Sequence, residues 1–475
     1  MDITKIMVSI ALALYAVLAL YINFNTVYYL ILSLFGFGKA KRDYPLVEDE
    51  TRFLVLVAAH NEEQVIGSTI QNLNRIRYRK ELYDVYVVND NSTDRTGEIC
   101  EELGMEQVDT SLKLFPREGV GKPAGLQYAL RYLGFEKLPE KYDCLLILDA
   151  DNHVDPDILK ELNSQYIAKE KPEAIQAYLD SKNSTSSLSL GYAISYYLSN
   201  RFFQLAKYRM GLTNSIGGTG FIVRLDFLMK HGGFRFNSLT EDVELEMEIV
   251  KTNGRVLWNH FVRIYDEKPD NLKMSLKQRI RWSQGHWFVA FTNYQALFKK
   301  MIKEKGKLKI LDQLIYLFGM ARAVQMVVAF VGILVALIYQ AATKDFAAAT
   351  KLGMRFSTVV LGSSIITLLL FTYQFLICMP YAVRKDSRHK FNYFSMIFSI
   401  LYYGYTYIFA QFVGLLKWRH QHTWVKTTHT KTILHHKKVK ENWQHTFQSY
   451  IDANDELELA EEENTEEVFQ PSPIK

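Results

Sequence analysis

The sequence Tyr142-Asp-Cys-Leu-Leu-Ile-Leu-Asp149-Ala-Asp151 contains a short apolar run that ends in two carboxylates. A run of this length and composition is typical of a buried β-strand. If the strand geometry continues to its end, Asp149 and Asp151 project to the same side, because side chains alternate along a strand. Two such carboxylates suit Mg²⁺ or Mn²⁺, which usually takes further ligands from water and substrate phosphates. The alternative is structural, since an Asp-x-Asp at a strand end often forms a turn or a helix N-cap.

Two earlier apolar runs end in polar clusters in the same way. Arg52–Ala59 is followed by His60-Asn61-Glu62-Glu63, and Tyr83–Val88 is followed by Asn89-Asp90-Asn91. Helix-like stretches come next, at Val65–Asn74 and Arg95–Leu103. Strands that alternate with helices predict a mostly parallel sheet with helices on both faces. Ligands bind such sheets beyond the carboxyl ends of the strands, where all three polar clusters are expected to lie.

Two nucleotide-binding motifs are excluded. Lys122 lies in Arg117-Glu-Gly-Val-Gly-Lys-Pro-Ala-Gly125, but Pro116 stands where a P-loop has its first glycine and Pro123 replaces its Ser or Thr. The domain also opens without the GxGxxG of a dinucleotide-binding fold.

Long apolar runs flank this polar region and predict membrane helices. The run from Ile6 to Phe35 exceeds the roughly 20 residues of a membrane span and contains no charged residue. It is longer than the apolar core of a signal peptide, which favours a retained anchor. The basic residues Lys39, Lys41 and Arg42 follow it and place the next segment in the cytoplasm by the positive-inside rule.

Three further runs, about Leu314–Tyr339, Phe356–Tyr381 and Phe391–Leu416, are each long enough to cross. Three crossings would place the C-terminal tail outside, whereas its basic residues from Lys417 onward favour the inside. One run is therefore re-entrant, interfacial or double-crossing, and the sequence leaves these alternatives open. Asn271–Lys309, with aromatic residues among lysines and arginines, suits helices in the membrane interface.

Composition excludes several classes of protein. The 475 residues are 48% hydrophobic and 23% charged, and they include 6 Trp, 29 Tyr and 29 Phe but only 10 Pro, which excludes a disordered or collagen-like chain. A net charge of +5 is too small to favour nucleic acid. Three cysteines far apart in sequence indicate neither a disulfide framework nor a zinc site, and they favour a reducing compartment.

Three later motifs complete a recognisable order. They are Gly217-Gly218-Thr219-Gly220, Thr240-Glu241-Asp242 and Gln278-Arg-Ile-Arg281-Trp282. With Ala59-His-Asn-Glu62, Asp90, Gly121-Lys122 and Asp149-Ala-Asp151, this order resembles membrane-embedded family 2 glycosyltransferases. That family includes synthases of cellulose, chitin, hyaluronan and poly-N-acetylglucosamine. The resemblance covers about Arg52–Trp287 and implies an α/β GT-A fold, Rossmann-like with a mostly parallel sheet, plus an α-helical transmembrane region with interfacial helices.

The resemblance implies roles for individual residues. Asp90, Ala59, Asn61 and Glu62 would hold the nucleotide, Asp149 would face the nucleotide sugar, and Asp151 would bind Mg²⁺ or Mn²⁺. Asp242, within the catalytic motif with Thr240 and Glu241, would be the general base. Lys122 and Arg281 would stabilise the leaving diphosphate, with Gln278 beside the nucleotide sugar. Gly218, Thr219 and Trp282 would contact the acceptor, Trp282 as a stacking face.

Each role has a structural alternative. Asp90 could cap the helix that follows it, acids at the start of a helix such as Glu241 and Asp242 favour the helix dipole, and Trp282 could anchor an interfacial helix. The sequence also departs from the family in two places. Asn89-Asp90-Asn91 replaces the frequent Asp-Asp-Gly, although Asn91 tolerates the same turn geometry. The Gly-Gly-Thr-Gly segment lacks the cysteine of some cellulose-type enzymes.

We therefore divide the chain into a transmembrane anchor (1–38), a GT-A domain (39–270), interfacial helices with the Gln-x-x-Arg-Trp motif (271–309), about three transmembrane helices (310–417), a basic juxtamembrane segment (418–450) and an acidic disordered tail (451–475).

The resemblance implies a processive inverting β-glycosyltransferase in the bacterial inner membrane with a cytoplasmic catalytic domain. Its partners would be a UDP-sugar, a growing polysaccharide, the lipid bilayer, and accessory export or regulatory proteins. Alternatives are a non-processive enzyme that adds one sugar to a lipid and a non-catalytic transporter or scaffold. The near-absence of charges in the apolar runs, Arg322 apart, argues against a transporter.

Overall fold

A computed structural model describes residues 3–304, 307–321, 323–324, 327, 369–370 and 372–421. The predicted runs Leu314–Tyr339 and Phe356–Tyr381 lie largely outside the described residues, and so do the acidic tail and most of the basic juxtamembrane segment.

One eight-stranded sheet forms the centre of the catalytic region. Its strands are β1 (Phe53–Ala59), β2 (Tyr83–Asn89), β3 (Gln107–Asp109), β4 (Cys144–Asp149), β5 (His153–Val154), β6 (Ala174–Ser181), β7 (Phe221–Arg224) and β8 (Val256–Asp266). They lie in the order β3-β2-β1-β4-β7-β6-β8-β5. The first four in this order are parallel, while β7 pairs antiparallel with both β4 and β6. The predicted mostly parallel α/β fold is confirmed.

The helices connect the strands and continue into the membrane-associated part. They are α1 (Ile3–Leu34), α2 (Ile66–Leu73), α3 (Thr96–Glu102), α4 (Gly121–Tyr132), α5 (Leu138–Lys141), α6 (Ile158–Ala168), α7 (Ser187–Ser199), α8 (Ala206–Arg209), α9 (Leu225–Lys230), α10 (Glu241–Lys251), α11 (Leu272–Lys303), α12 (Lys307–Leu317), α13 (Met379–Asp386) and α14 (Tyr393–Leu416). A π-helical turn, Asn200–Leu205, joins α7 to α8.

The sheet separates two hydrophobic cores, as the alternation along β1 requires. Phe53, Val55 and Val57 enter the core on one face, and Leu54 and Leu56 enter the core on the other. All five side chains are fully buried. An apolar run that is buried on both faces is typical of a central parallel strand.

The predicted elements around the motifs agree closely with the observed ones. β1, β2 and β4 each end within one residue of the predicted position, because the polar residues that end them are local in sequence. The segment predicted to hold interfacial helices forms one 32-residue helix, α11, followed by α12.

Two of the described helices are long and apolar enough to cross a membrane, by length and composition. They include Ala16–Leu34 of α1 and all of α14. These helices support membrane association of the chain.

Candidate active site

The ends of three parallel strands bring the first predicted residues together. Ala59 of β1 is in register with Asn89 of β2, and Ala58 is in register with Asp149 of β4. The backbone N–H of Asp90 donates to the Ala59 carbonyl at 2.7 Å. The polar clusters that follow these strands therefore share one crevice at the carboxyl edge of the sheet.

Asn61 and Glu62 hold the loop after β1 against the loop after β2. Asn61 adopts φ 56°, a left-handed conformation that Asn tolerates. Its side-chain oxygen accepts a hydrogen bond from the Thr93 N–H at 2.6 Å. The Glu62 N–H donates to the Thr96 hydroxyl at 2.7 Å. Both residues thus shape the wall of the crevice, and their contacts with a nucleotide stay predictions.

Asp90 lies in this crevice with its carboxylate bound by protein groups. Asn91 next to it has φ 56°, the turn geometry expected for Asn in place of Gly. The Thr110 hydroxyl donates to Asp90 Oδ1 at 2.9 Å, and the Arg117 guanidinium binds both carboxylate oxygens, with Nη2 2.8 Å from Oδ2. Gly125 leaves room for this carboxylate, because a Cβ there would lie 3.2 Å from Asp90 Cγ.

Lys122 connects two of the motifs directly. It lies at the start of α4, and its ammonium donates to Asp149 Oδ1 and, at 2.8 Å, to the Gly218 carbonyl. Asp149 is 41% exposed, so its second oxygen can still face the crevice. The segment that superficially resembles a P-loop therefore supplies a cation to the Asp-x-Asp motif.

β4 ends at Asp149, so the strand alternation predicted to place both carboxylates on one side does not extend to Asp151, which is almost fully buried. Its Oδ2 accepts a hydrogen bond from the Glu267 N–H at 2.9 Å, and its Oδ1 accepts one from the Asn152 amide at 3.2 Å. Asp266, at the end of β8, interacts electrostatically with both Asp149 and Asp151. Burial raises the pKa of Asp266 to about 6 although Lys268 is bound to its carboxylate.

These oxygens fit a hard divalent cation. Within the described parts of the chain, no three His, Cys, Asp or Glu side chains form a complete metal cage. Mg²⁺ and similar ions commonly take only one or two protein carboxylates together with substrate phosphates. Asp149 and Asp151 offer that incomplete set.

The Thr-Glu-Asp motif begins α10, where Thr240 is the N-cap residue. Asp242 Oδ1 accepts a hydrogen bond from the Val243 N–H at 2.9 Å, and Oδ2 faces Gly218. Burial among protein atoms and the neighbouring Glu241 raise the pKa of Asp242 to about 7. A carboxyl with that pKa is suited to exchange a proton near neutral pH.

Glu241 lies between the other charged groups of the crevice. Burial raises the pKa of its carboxyl, while the nearby Lys122 and Arg281 oppose that increase. Glu241 therefore links Lys122 and Arg281 to the Thr-Glu-Asp motif, whose role as the base stays a prediction.

Gly218 and Thr219, neighbours in the Gly-Gly-Thr-Gly segment, make different contacts. Gly218 has φ 80°, and a Cβ there would lie 3.3 Å from Asp242 Oδ2. The Asp242 carboxylate thus lies directly against this turn. The Thr219 hydroxyl is instead turned inward, where it donates to Asn152 and accepts from the Asp149 N–H at 3.1 Å. Its contact with an acceptor stays a prediction.

The Gln-x-x-Arg-Trp motif lies on α11, and its side chains have two different surroundings. Arg281 interacts electrostatically with Glu241, and its Nε is buried with no hydrogen-bond partner among the described residues. Gln278 accepts a hydrogen bond from the Tyr192 hydroxyl at 3.4 Å, and Trp282 contacts the same ring edge-on at 6.4 Å between centroids. Among these three, Arg281 is therefore the residue with charge contacts in the crevice.

Sequence reasoning missed three residues in or near this crevice. Arg117 binds Asp90, Lys268 binds Asp266 and stacks 3.5 Å over Tyr196, and Arg279 is fully buried. Helix geometry could have separated Arg279 from Arg281, because residues two apart point to different faces of a helix. The contacts of Arg117 and Lys268 carry no comparable signal in the sequence.

Comparisons with known proteins agree with this geometry. Residues 51–285 match the family described as "Glycosyltransferase like family 2". The Probable glycosyltransferase YdaM of Bacillus subtilis (strain 168) is 28% identical over 268 residues, which are 56% of this chain and 61% of that protein. Beta-monoglucosyldiacylglycerol synthase of Nostoc sp. is 26% identical over 269 residues, 56% of this chain and 55% of that protein.

Poly-beta-1,6-N-acetyl-D-glucosamine synthase of Staphylococcus aureus (strain COL) is 22% identical over 289 residues, which are 59% of this chain and 68% of that protein. The chain thus matches between 55% and 68% of the length of these relatives.

A solved structure, the mannosyltransferase PcManGT from Pyrobaculum calidifontis, aligns with a TM-score of 0.51 and 19% identity. It covers 80% of this chain and 100% of that chain, which supports the fold. Residues 51–285 of this chain are therefore a family 2 glycosyltransferase domain with the GT-A fold.

Proposed function

We propose that the chain is a processive inverting β-glycosyltransferase that polymerises a UDP-activated sugar into an exopolysaccharide and translocates the product across the membrane. UDP-GlcNAc and UDP-Glc are the expected donors. One observation carries the proposal: Lys122 joins Asp149 to the Gly218 turn, which lies directly against Asp242. The residues that we propose as the donor-side acid, the diphosphate-binding cation and the base are therefore connected by these contacts.

The donor end of the crevice would hold a nucleoside diphosphate. Asp90 lies at the base of the loops after β1 and β2, and Arg117 already binds its carboxylate. Asp151, with Asp149, would hold Mg²⁺ or Mn²⁺, which would supply positive charge to the diphosphate. The solved structure of the Pyrobaculum calidifontis mannosyltransferase is a complex with GDP-Man and Mn²⁺, which supports a divalent cation with a nucleotide sugar in this fold.

The transfer needs one base and one stabilised leaving group. The acceptor hydroxyl oxygen would attack the anomeric carbon as the bond from that carbon to the diphosphate breaks, and the hydroxyl proton would move to Asp242. Attack opposite the leaving group inverts the anomeric centre. The cationic side chains of Lys122 and Arg281 would stabilise the charge that develops on the diphosphate.

Polymer formation is supported by the match to a poly-N-acetylglucosamine synthase and by the aromatic surroundings of Trp282. A second candidate, transfer of one sugar to a membrane lipid, is supported by the match to a glucosyldiacylglycerol synthase. Both candidates place the catalytic domain at the cytoplasmic surface of a bacterial plasma membrane. Export or regulatory proteins could assist the polymer-forming candidate.

The test is a donor screen with the full chain in nanodiscs. The protein is incubated with Mg²⁺ or Mn²⁺ and each common UDP-sugar separately, and UDP release and product size are both measured. One donor that gives UDP and a high-molecular-weight product would support the proposal. UDP release with only a short lipid-linked product would replace it with the second candidate. Absence of UDP release with all donors would contradict the proposal that the chain alone is sufficient.

A further inference from the structure

We propose that α14 lies along the membrane surface, on the same side as the catalytic domain, instead of crossing the bilayer. Its exposed aromatic face is then a docking surface for the headgroup and acyl boundary of the membrane. This inference concerns how the chain sits on the bilayer and does not depend on which sugar is transferred. It rests on where the two ends of α14 are held.

The segment before α14 is bound to the catalytic domain. Asp386 forms a buried ion pair with Arg201, and its backbone carbonyl accepts a hydrogen bond from Arg263 of β8 at 2.8 Å. Arg388, two residues later, lies 3.8 Å from Asp155 and 5.0 Å from the ring centre of Tyr265. The N-terminal end of α14 is thus fixed at the β8 edge of the sheet.

The segment after α14 returns to the same domain. The Leu239 N–H, just before the Thr-Glu-Asp motif, donates to Gln421 Oε1 at 2.8 Å. The Gln421 amide donates to the Gln284 carbonyl at 3.3 Å, and the Gln284 amide donates to the His420 carbonyl. A 24-residue helix is about 36 Å long, enough to cross a bilayer, yet both of its ends contact one domain.

The middle of α14 is packed against helices of that domain. A Cβ on Gly191 of α7 would lie 2.6 Å from the Ser399 carbonyl oxygen, so the two backbones are in close contact. Arg279 of α11 donates to the Tyr403 carbonyl at 2.9 Å and to the Thr406 hydroxyl at 2.8 Å. Near the other end, Gly414 allows a similar approach to Ser283 of α11. Contact along the whole length is expected of a helix that lies against the domain.

The opposite face of α14 is apolar and exposed. Six large side chains share it: Phe394 at 80% exposed, Phe398 at 62%, Leu401 at 39%, Tyr405 at 70%, Phe409 at 57% and Leu416 at 68%. Their spacing places them within one narrow stripe, because positions three, four and seven apart share a helix face. A helix with one apolar face turned away from protein is suited to lie in the membrane interface.

The charges at the two ends identify an anionic lipid surface as the partner. Arg384, Lys385 and Lys390 are exposed before α14, and Lys417 and Arg419 are exposed after it. Basic residues on both sides of one apolar stripe favour negatively charged headgroups at both ends. A crossing helix would instead place one of these basic clusters on the far side, against the positive-inside rule.

This arrangement also resolves the conflict between charge and crossing number. If Phe391–Leu416 does not cross, two predicted crossings remain after the catalytic domain, and the chain returns to the cytoplasm before Asp386. The basic residues from Lys417 onward then lie on the side that their charge favours.

Accessibility labelling tests the proposal directly. Lys390→Cys, Arg419→Cys and, as a reference on the catalytic domain, Lys137→Cys are made separately; the three native cysteines are buried. Each variant is labelled with a membrane-impermeant maleimide in right-side-out and in inverted vesicles. We expect all three sites to react in the same vesicle orientation. Reaction of Lys390→Cys and Arg419→Cys in opposite orientations would show that α14 crosses, and would overturn the proposal.

Measurement of membrane depth within α14 provides a second test, which does not require labels before and after the helix. Spin labels are attached to Phe394→Cys and Tyr405→Cys in liposomes, and their immersion is measured from oxygen and nickel-chelate accessibility. The two positions are about 16 Å apart along a helix, and Tyr405 lies near the middle of α14. A helix in the interface gives similar, shallow depths. A crossing helix would place Tyr405 near the bilayer centre, so a difference in depth of more than about half that length would contradict the proposal.

Discussion

Asp386 is buried and Asp242 is partly buried, and their carboxylates have opposite surroundings. Burial would raise the pKa of Asp386, but hydrogen bonds from His260 and Arg201 outweigh it, so that this pKa is lowered. Asp242 receives one backbone hydrogen bond and has Glu241 beside it, and its pKa is raised to about 7. The difference separates two uses of buried charge. A paired carboxylate holds elements together, and an unpaired one is suited to take a proton.

The largest effect is expected where the unpaired carboxylate is removed. Asp242→Asn should lower kcat for UDP release by about 10² to 10⁴, the usual contribution of a general base, with little change in donor KM. Glu248→Gln removes a carboxylate from the surface of the same helix, where it pairs with Lys251, and should leave kcat unchanged. Steady-state kinetics of both variants provide the measurement. Retained activity in Asp242→Asn would contradict the assigned base.

Removing the partner of Asp386, the paired carboxylate, should change the stability of the protein instead of its catalytic rate. Arg201→Met leaves Asp386 buried without its bidentate partner and should cost about 3 to 5 kcal/mol of unfolding free energy. The double variant Arg201→Met/Asp386→Leu should recover part of this loss. Thermal unfolding in detergent, followed by size-exclusion chromatography, measures both. A large drop in kcat of Arg201→Met at unchanged stability would show that Asp386, like Asp242, acts in catalysis.

The pH profile should reveal the raised pKa of Asp242. Because the base acts in its ionised form, kcat/KM should fall as pH decreases through about 7, approaching tenfold per pH unit. Glu241→Gln should move the midpoint of this limb to lower pH, since the charge of Glu241 helps to raise the pKa of Asp242. The shift of the midpoint is measured independently of the maximal rate. An unchanged midpoint in Glu241→Gln would show that Glu241 does not affect the pKa of Asp242.

The smallest effect is expected at Leu239, which lies just before α10 and is held by Gln421. Gln421→Ala leaves the buried Leu239 N–H without its acceptor, a loss of about 1 to 3 kcal/mol that should appear as a few-fold lower kcat and a lower melting temperature. His420→Ala is the matched control, because His420 contributes only its backbone carbonyl to the Gln284 contact. Equal effects of the two substitutions would argue against this support.

The sequence predicted the structural features that depend on residues close together in the chain. The strands that end at Ala59 and Asp149 were predictable because apolar runs and the polar residues that end them are contiguous. Arg201 was not, because its partner is 185 residues away and nothing near either residue indicates the pairing. Arg279 and Arg281 look equivalent in one motif, yet one contacts α14 and the other interacts with Glu241. The motifs thus predicted residues that the fold brings together, whose roles stay predictions, while the residues that support them required the three-dimensional arrangement.

The hydrogen bond between Leu239 and Gln421 spans 182 residues, which has a consequence for biosynthesis. During translation the strands, the Asp-x-Asp motif and α10 are made well before the segment that follows α14. A nascent chain therefore contains Asp149, Asp151 and Asp242 before Leu239, just ahead of α10, has its hydrogen-bond acceptor. Sugar transfer would begin in full only after α14 has docked on the domain, so that the last part of the enzyme to be synthesised also completes it.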